Sequence, residues 1–244
     1  MQFFILVLLI CLFIFLYCVY VLANDDFIFL RRDVTMDKLF NIIFLGSLIS
    51  LFTARLFHGF FYAKSVLANP LVFLLFPYFP GLSLLGGVMG TGAYLLFLTT
   101  RKKDPLPLGR MADFFSIAFL ISLQIGFIGY LMFSEQGVLV VNAASQAAVY
   151  FVLFIIFLKF FLPQLLNGKF KEGTITFIFL ICFSMVSLIS NAFPKVTALE
   201  FFKNLENPIL IIVLIVSAFF LTKQEALLSK VKQLRGRLLI KINH

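Results

Sequence analysis

The sequence predicts an all-α polytopic membrane protein of seven transmembrane helices, with the N-terminus outside and the C-terminus in the cytoplasm. Three observations predict it. Hydrophobic residues make up 62% of the 244 positions and charged residues 13%, against about 45–50% and about 25% in soluble domains. Apolar runs recur at the length of about 20 residues that crosses a bilayer core. The cations collect in alternate connections, as the positive-inside rule requires.

The elements follow in order. Residues 3–22 form the first run. It is too long for the apolar region of a leader and no cation precedes it, so it is expected to remain as a span. Arg31, Arg32 and Lys38 follow, and residues 39–62 form the second span. The connection 63–81 reads AKSVLANPLVFLLFPYFPG, apolar but broken by Pro70, Pro77 and Pro80. Segments that short between prolines do not cross a bilayer, so an outer interfacial or re-entrant arm is expected. Residues 82–100 form the third span, followed by Arg101, Lys102, Lys103 and Arg110.

Spans four to seven cover 111–133, 139–162, 174–193 and 208–222. Lys159, Lys169 and Lys171 mark the connection after the fifth. Residues 1–222 thus read as one domain. The tail 223–244 spaces Leu227, Val231, Leu234 and Leu238 among Lys223, Lys230, Lys232, Arg235, Arg237 and Lys241. That pattern suits a basic amphipathic helix on the cytoplasmic membrane face. In all, 16 of the 20 lysines and arginines lie on the side assigned to the cytoplasm; only Lys64, Lys195 and Lys203 lie in outer connections.

The net charge of +9 is therefore accounted for by topology and by attraction to anionic lipid, and no nucleic-acid partner is expected. Cys11, Cys18 and Cys182 all fall within spans, with neither disulfide nor zinc spacing. The two histidines, His58 and His244, cannot form a metal cluster. No metal or cofactor is expected, and no phosphate-binding loop, dinucleotide fingerprint or nucleophile elbow appears. With no tryptophan in the chain, Tyr62, Tyr78 and Tyr130 are the candidates for an outer aromatic belt.

Arg55 is the informative residue. It lies inside the apolar stretch 36–63, and a guanidinium at membrane depth costs at least about 2.5–3.5 kcal/mol on insertion scales. Such a residue marks a polar site, or else snorkels toward a helix end. His58 follows three positions later. Gly86 and Gly90 form a small-xxx-small pair, which suits close helix packing or a ligand contact equally.

The runs ARLFHGFFY (54–62), NPL (69–71), GLSLLGGVMG (81–90) and RKKDPLPLGRMADFFS (101–116) resemble the prolipoprotein diacylglyceryl transferase family, most closely over 36–135. The resemblance implies an inner-membrane bacterial enzyme of seven spans. It would move a diacylglyceryl group from phosphatidylglycerol to the lipobox cysteine of a preprolipoprotein. Ser83, Gly86 and Gly87 match the family motif that follows the arm, whose histidine falls at Leu85. Gly126, Gly129 and Glu135 match the span-four signature, but its arginine falls at Phe127 and its asparagines at Tyr130 and Phe133. Ser145 and Gln146 remain of a later motif. The family arginine and glutamate of span six fall at Ser187 and Asn191.

Physical requirements set the site expectation. An anionic headgroup in low dielectric needs cationic donors, and a nucleophilic thiol needs a base. Arg55, Ser83, Gly86, Gly87, Gln124 and Gln146 are thus the candidate headgroup residues. Glu135, and after it His58, are the candidate bases. Three functions stand open: a transferase running on Arg55 and Glu135, a relative that binds phosphatidylglycerol, another anionic phospholipid or lipoprotein precursors without catalysis, and a structural membrane scaffold.

Overall fold

The computed structural model describes residues 2–26, 35–74, 81–100, 107–133, 138–192, 201–202 and 204–225. Glu135, Tyr78 and residues 226–244 of the predicted amphipathic tail lie outside the described residues. Every regular element among the described residues is helical.

Helix α1 spans Gln2–Asn24 and α2 spans Met36–Phe61. Two five-residue helices, α3 (Lys64–Ala68) and α4 (Pro70–Leu74), make up the described part of the predicted arm. Helix α5 covers Leu84–Thr100, α6 Leu108–Phe133 and α7 Val138–Ile156. A π-helical turn at Phe157–Phe161 carries α7 into α8, Leu162–Leu166. Helices α9 (Thr174–Ala192) and α10 (Glu206–Gln224) complete the chain.

Six of these helices, counting α7 through α8 as one, are long and apolar enough to cross a membrane. Helix α5, at 17 residues, reaches only about 25 Å at 1.5 Å per residue, short of the roughly 30 Å hydrocarbon core. The sequence expectation of seven spans therefore stands at six long helices and one shorter apolar helix.

Local chemistry sets the boundaries. In the NPL run, the Asn69 side-chain oxygen Oδ1 accepts from the Leu71 amide at 3.1 Å and Pro70 takes the first helical position of α4, a usual arrangement for opening a helix. The π turn precedes Pro163, whose ring would otherwise press on the carbonyl four residues back; the wider turn relieves that contact. Helix α8 ends where the Gly168 amide donates to Leu165 and the Lys169 amide to Gln164, with Gly168 at φ +69°. That is a Schellman stop, and glycine fits its left-handed position without a Cβ penalty.

The helices pack chiefly in pairs: α2 with α5, α1 with α6, α9 with α10, and α6 with α7. Contacts between the α1/α6 pair and the α2/α5 pair are much sparser. Glycines seat two of the pairings. A Cβ on Gly129 would lie 2.6 Å from Val7, and one on Gly90 would overlap Thr53. Helix α6 is the most buried, with Met111, Phe114, Ile117, Ala118 and Leu120 sealed from the surface.

Helix α6 also corrects the charge reading. Arg110 lies within its first turn, 1% exposed, and not in a connection. Its guanidinium grips Asp26 with two bonds, Nε–Oδ2 at 2.7 Å and Nη2–Oδ1 at 3.1 Å. A bidentate carboxylate partner is what allows a guanidinium to be buried there.

Candidate functional site

Arg55 is 3% exposed and turns its guanidinium onto the arm. Nη2 donates to the Val72 carbonyl at 2.9 Å, Nη1 to Gly81 at 2.9 Å and Nε to Phe73 at 3.4 Å. Val72 and Phe73 sit in the last turn of α4, where carbonyls lack intrahelical partners and the helix dipole is negative. Arg55 satisfies them. The expensive charge of the sequence is thus a clamp that holds the arm against α2.

His58 works at the same junction. Gly81 has φ +151°, and a Cβ there would lie 2.2 Å from the His58 ring nitrogen Nε2. Only glycine lets the chain pass the imidazole while its carbonyl meets Arg55. Ser83 opens α5: its hydroxyl accepts from the Gly86 amide at 3.2 Å, and its own amide donates to the Ala54 carbonyl at 3.0 Å. Gly86 lies against Phe57, Thr53 and Ala54, where a Cβ would approach to 2.7 Å, and Gly87 accepts from the Ser50 hydroxyl at 3.1 Å. Arg55, His58, Ser83, Gly86 and Gly87 therefore come together at one corner, where α2, the arm and α5 meet.

The two glutamines lie elsewhere. Gln124 donates along its own helix to Leu120 at 3.4 Å, and Gln146 donates to the Ser190 hydroxyl on α9. No hydrogen bond among the described residues joins either to Arg55. Glu135 lies outside the described residues.

A family model described as prolipoprotein diacylglyceryl transferase matches residues 1–223. The chain belongs to the prolipoprotein diacylglyceryl transferase family. Searches of curated proteins and of solved structures found no match. Membership makes this a multi-pass membrane protein of transferase type, in lipoprotein biosynthesis.

Of the positions that the sequence resemblance singled out, Phe127 and Leu85 lie in an aromatic and apolar interior and Asn191 in a polar contact. Phe127 stacks on Tyr150 with centroids 5.9 Å apart and planes 17° apart, and Tyr150 meets Phe183 at 6.4 Å. Leu85 is 1% exposed within the core. Asn191 donates to the side-chain oxygen of Asn207 at 2.8 Å, and Asn207 donates to the Phe201 carbonyl at 2.7 Å.

Two polar groupings escaped the sequence reading. At the end of the bundle where α2 and α9 finish and α10 begins, the Tyr62 hydroxyl bonds the Glu206 carboxylate. Burial, then the Glu206 carboxylate, pushes the Tyr62 hydroxyl well above its usual range. At the opposite end, Asp113 accepts from the Gly173 amide at 2.7 Å, the Thr176 amide at 2.8 Å and the Thr176 hydroxyl at 2.9 Å. Glu225 accepts there from Thr174 at 2.7 Å and from the Lys171 amide at 3.0 Å. A signal existed: Arg110 and Asp113 are charges three apart on one face of an apolar run, and Glu206 and Asn207 open the last span.

Proposed function

We propose that the protein acts on the substrate pair of its family, a phosphatidylglycerol donor and the lipobox cysteine of a preprolipoprotein, in the cytoplasmic membrane of a bacterium. The family match over residues 1–223 carries this reading. In the reaction the cysteine sulfur attacks the glyceryl carbon. The carbon–oxygen bond to phosphate breaks, glycerol phosphate leaves, and the thiol proton passes to a base. Arg55 supplies the positive charge for the departing phosphate by exchanging arm carbonyls for phosphate oxygens. Glu135 takes the proton, and His58 keeps the arm at its Gly81 pivot. The reading takes the orientation that the cation distribution suggests, N-terminus outside, and α5 as a seventh crossing beside α2.

A second reading has its own observation. The Phe127–Tyr150–Phe183 stack occupies the interior where the family motifs carry an arginine, which favours a relative that binds the lipid or the precursor without transferring it. One assay separates the two. Purified protein with labelled phosphatidylglycerol and a lipobox peptide yields a diacylglyceryl thioether above the Arg55→Ala background if it is a transferase. If no product forms but phosphatidylglycerol raises the melting temperature in an Arg55-dependent way, the protein is a binder. Neither product nor Arg55-dependent stabilisation would discard both.

A further inference from the structure

The sparse contact between the α1/α6 and α2/α5 pairs leaves a cleft of about 360 Å³ between them, with α9 as its floor. None of Arg55, Leu85, Phe127, Ser187 or Asn191 lines it. Close-packed interiors rarely leave voids much larger than a water, and an engineered apolar cavity of about 150 Å³ already takes up small hydrocarbons. A cleft of this size among membrane-spanning helices calls for an occupant.

The wall chemistry selects that occupant. Most of the lining is aliphatic or aromatic, and its hydroxyls are spent on the protein itself. Ser47 donates to Phe44, Ser50 and Thr91 to Gly87, Ser116 to Ala112, Ser122 to Ala118, and Thr176 to Asp113. Water needs two to four polar partners, and these hydroxyls, each already donating to the protein, offer it acceptor lone pairs only, scattered over a mostly apolar wall. Ile5 and Leu9, at 42% and 47% exposed, form a rim facing outward from the bundle, where lipid surrounds a membrane helix.

We propose that this cleft holds a single hydrocarbon chain of a bilayer lipid, recognised by its apolar length and not by its headgroup. The inference is independent of the Arg55 reading. Gly92 supplies the means to test it, because it lines the cleft and a Cβ there would meet nothing within 4 Å. Gly92→Phe therefore starts from open space and sets a ring against the cleft.

The test uses the full-length protein in nanodiscs carrying lipids with a photoreactive diazirine midway along one acyl chain. Phosphatidylglycerol and phosphatidylcholine versions are run in parallel, and cross-linked peptides are mapped by mass spectrometry. The expected result is labelling concentrated on residues 43–51 and 88–95 with both headgroups, displaced by unlabelled lipid. Gly92→Phe should lower it roughly tenfold, since a ring in the cleft is a built clash against the chain. Labelling spread over all outward faces, or unchanged in Gly92→Phe, would overturn the proposal. If Gly92→Phe does not accumulate, Gly92→Leu takes its place, and the wild-type map alone decides between concentrated and uniform labelling. Labelling seen only with phosphatidylglycerol and lost in Arg55→Ala would assign the site to the headgroup instead.

Discussion

At the scale of single residues, Arg55 shows how a costly charge is accommodated by backbone carbonyls, with no counter-ion among the described residues in its hydrogen-bonding shell. Three of its five N–H donors go to the carbonyls of Val72, Phe73 and Gly81. The residue thereby couples α2 to the arm, and any ligand that draws the guanidinium away must also release the arm. Arg55→Ala should therefore raise amide hydrogen exchange across residues 66–74 while leaving α5 protected. Exchange in that segment equal to wild type would refute the clamp. Lysine is no substitute, because a single ammonium cannot span three carbonyls with a planar fork. Glycine positions respond to a different force. Gly90 faces Thr53 so closely that a larger residue must push α5 off α2, at about 1–3 kcal/mol for overpacking.

Helix α9 shows what one capping side chain contributes at the scale of an element. Its first turn opens at Gly173, with φ +91°, and Thr174. Asp113, from a different helix, takes two of its backbone amides and one hydroxyl. A carboxylate at a helix N-terminus also meets the positive end of the dipole. Asp113→Ala strips those bonds, each worth about 1.5–3 kcal/mol to a charged acceptor, and should lower the melting temperature in detergent more than Asp113→Asn. Equal melting of Asp113→Ala and wild type would show the cap to be unimportant. The sequence disclosed much of this scale and missed part of it. Apolar length located α1, α2, α6, α9 and α10 to within a few residues, because hydrophobic runs report burial in lipid directly. It began α6 at 111 and placed Arg110 in a connection, since hydropathy counts a charge against a span even when a distant Asp26 neutralises it. The corner of Arg55, His58, Gly81 and Ser83 was legible as motif, but not the clamp, which depends on where α4 ends in space.

At the scale of the whole molecule, the lysines and arginines among the described residues gather mostly toward one end of the bundle. Hydrogen bonds tie the ends of α1 and α10 to the starts of α6 and α9 through Asp26–Arg110, Asp113–Gly173 and Glu225–Thr174. Tyr20 near the end of α1 stacks on Phe40 near the start of α2, which brings Lys38 to that same end. Lys38, Arg110, Lys169, Lys171 and Lys223 therefore gather on one face of the bundle. The opposite end joins α2, α9 and α10 through Tyr62–Glu206 and Asn191–Asn207, groups that are neutral or acidic. The positive-inside rule predicts that the cation-bearing end faces the cytoplasm. In a variant whose Cys11, Cys18 and Cys182 are replaced by alanine, exposed Lys64 and Lys169 mark the two ends. Lys64→Cys should react with a membrane-impermeant maleimide in spheroplasts, and Lys169→Cys only after permeabilisation. The reverse pattern would invert the topology and place the Arg55 corner on the cytoplasmic side. Reaction of both without permeabilisation would mean that α5, the shorter apolar helix, does not cross.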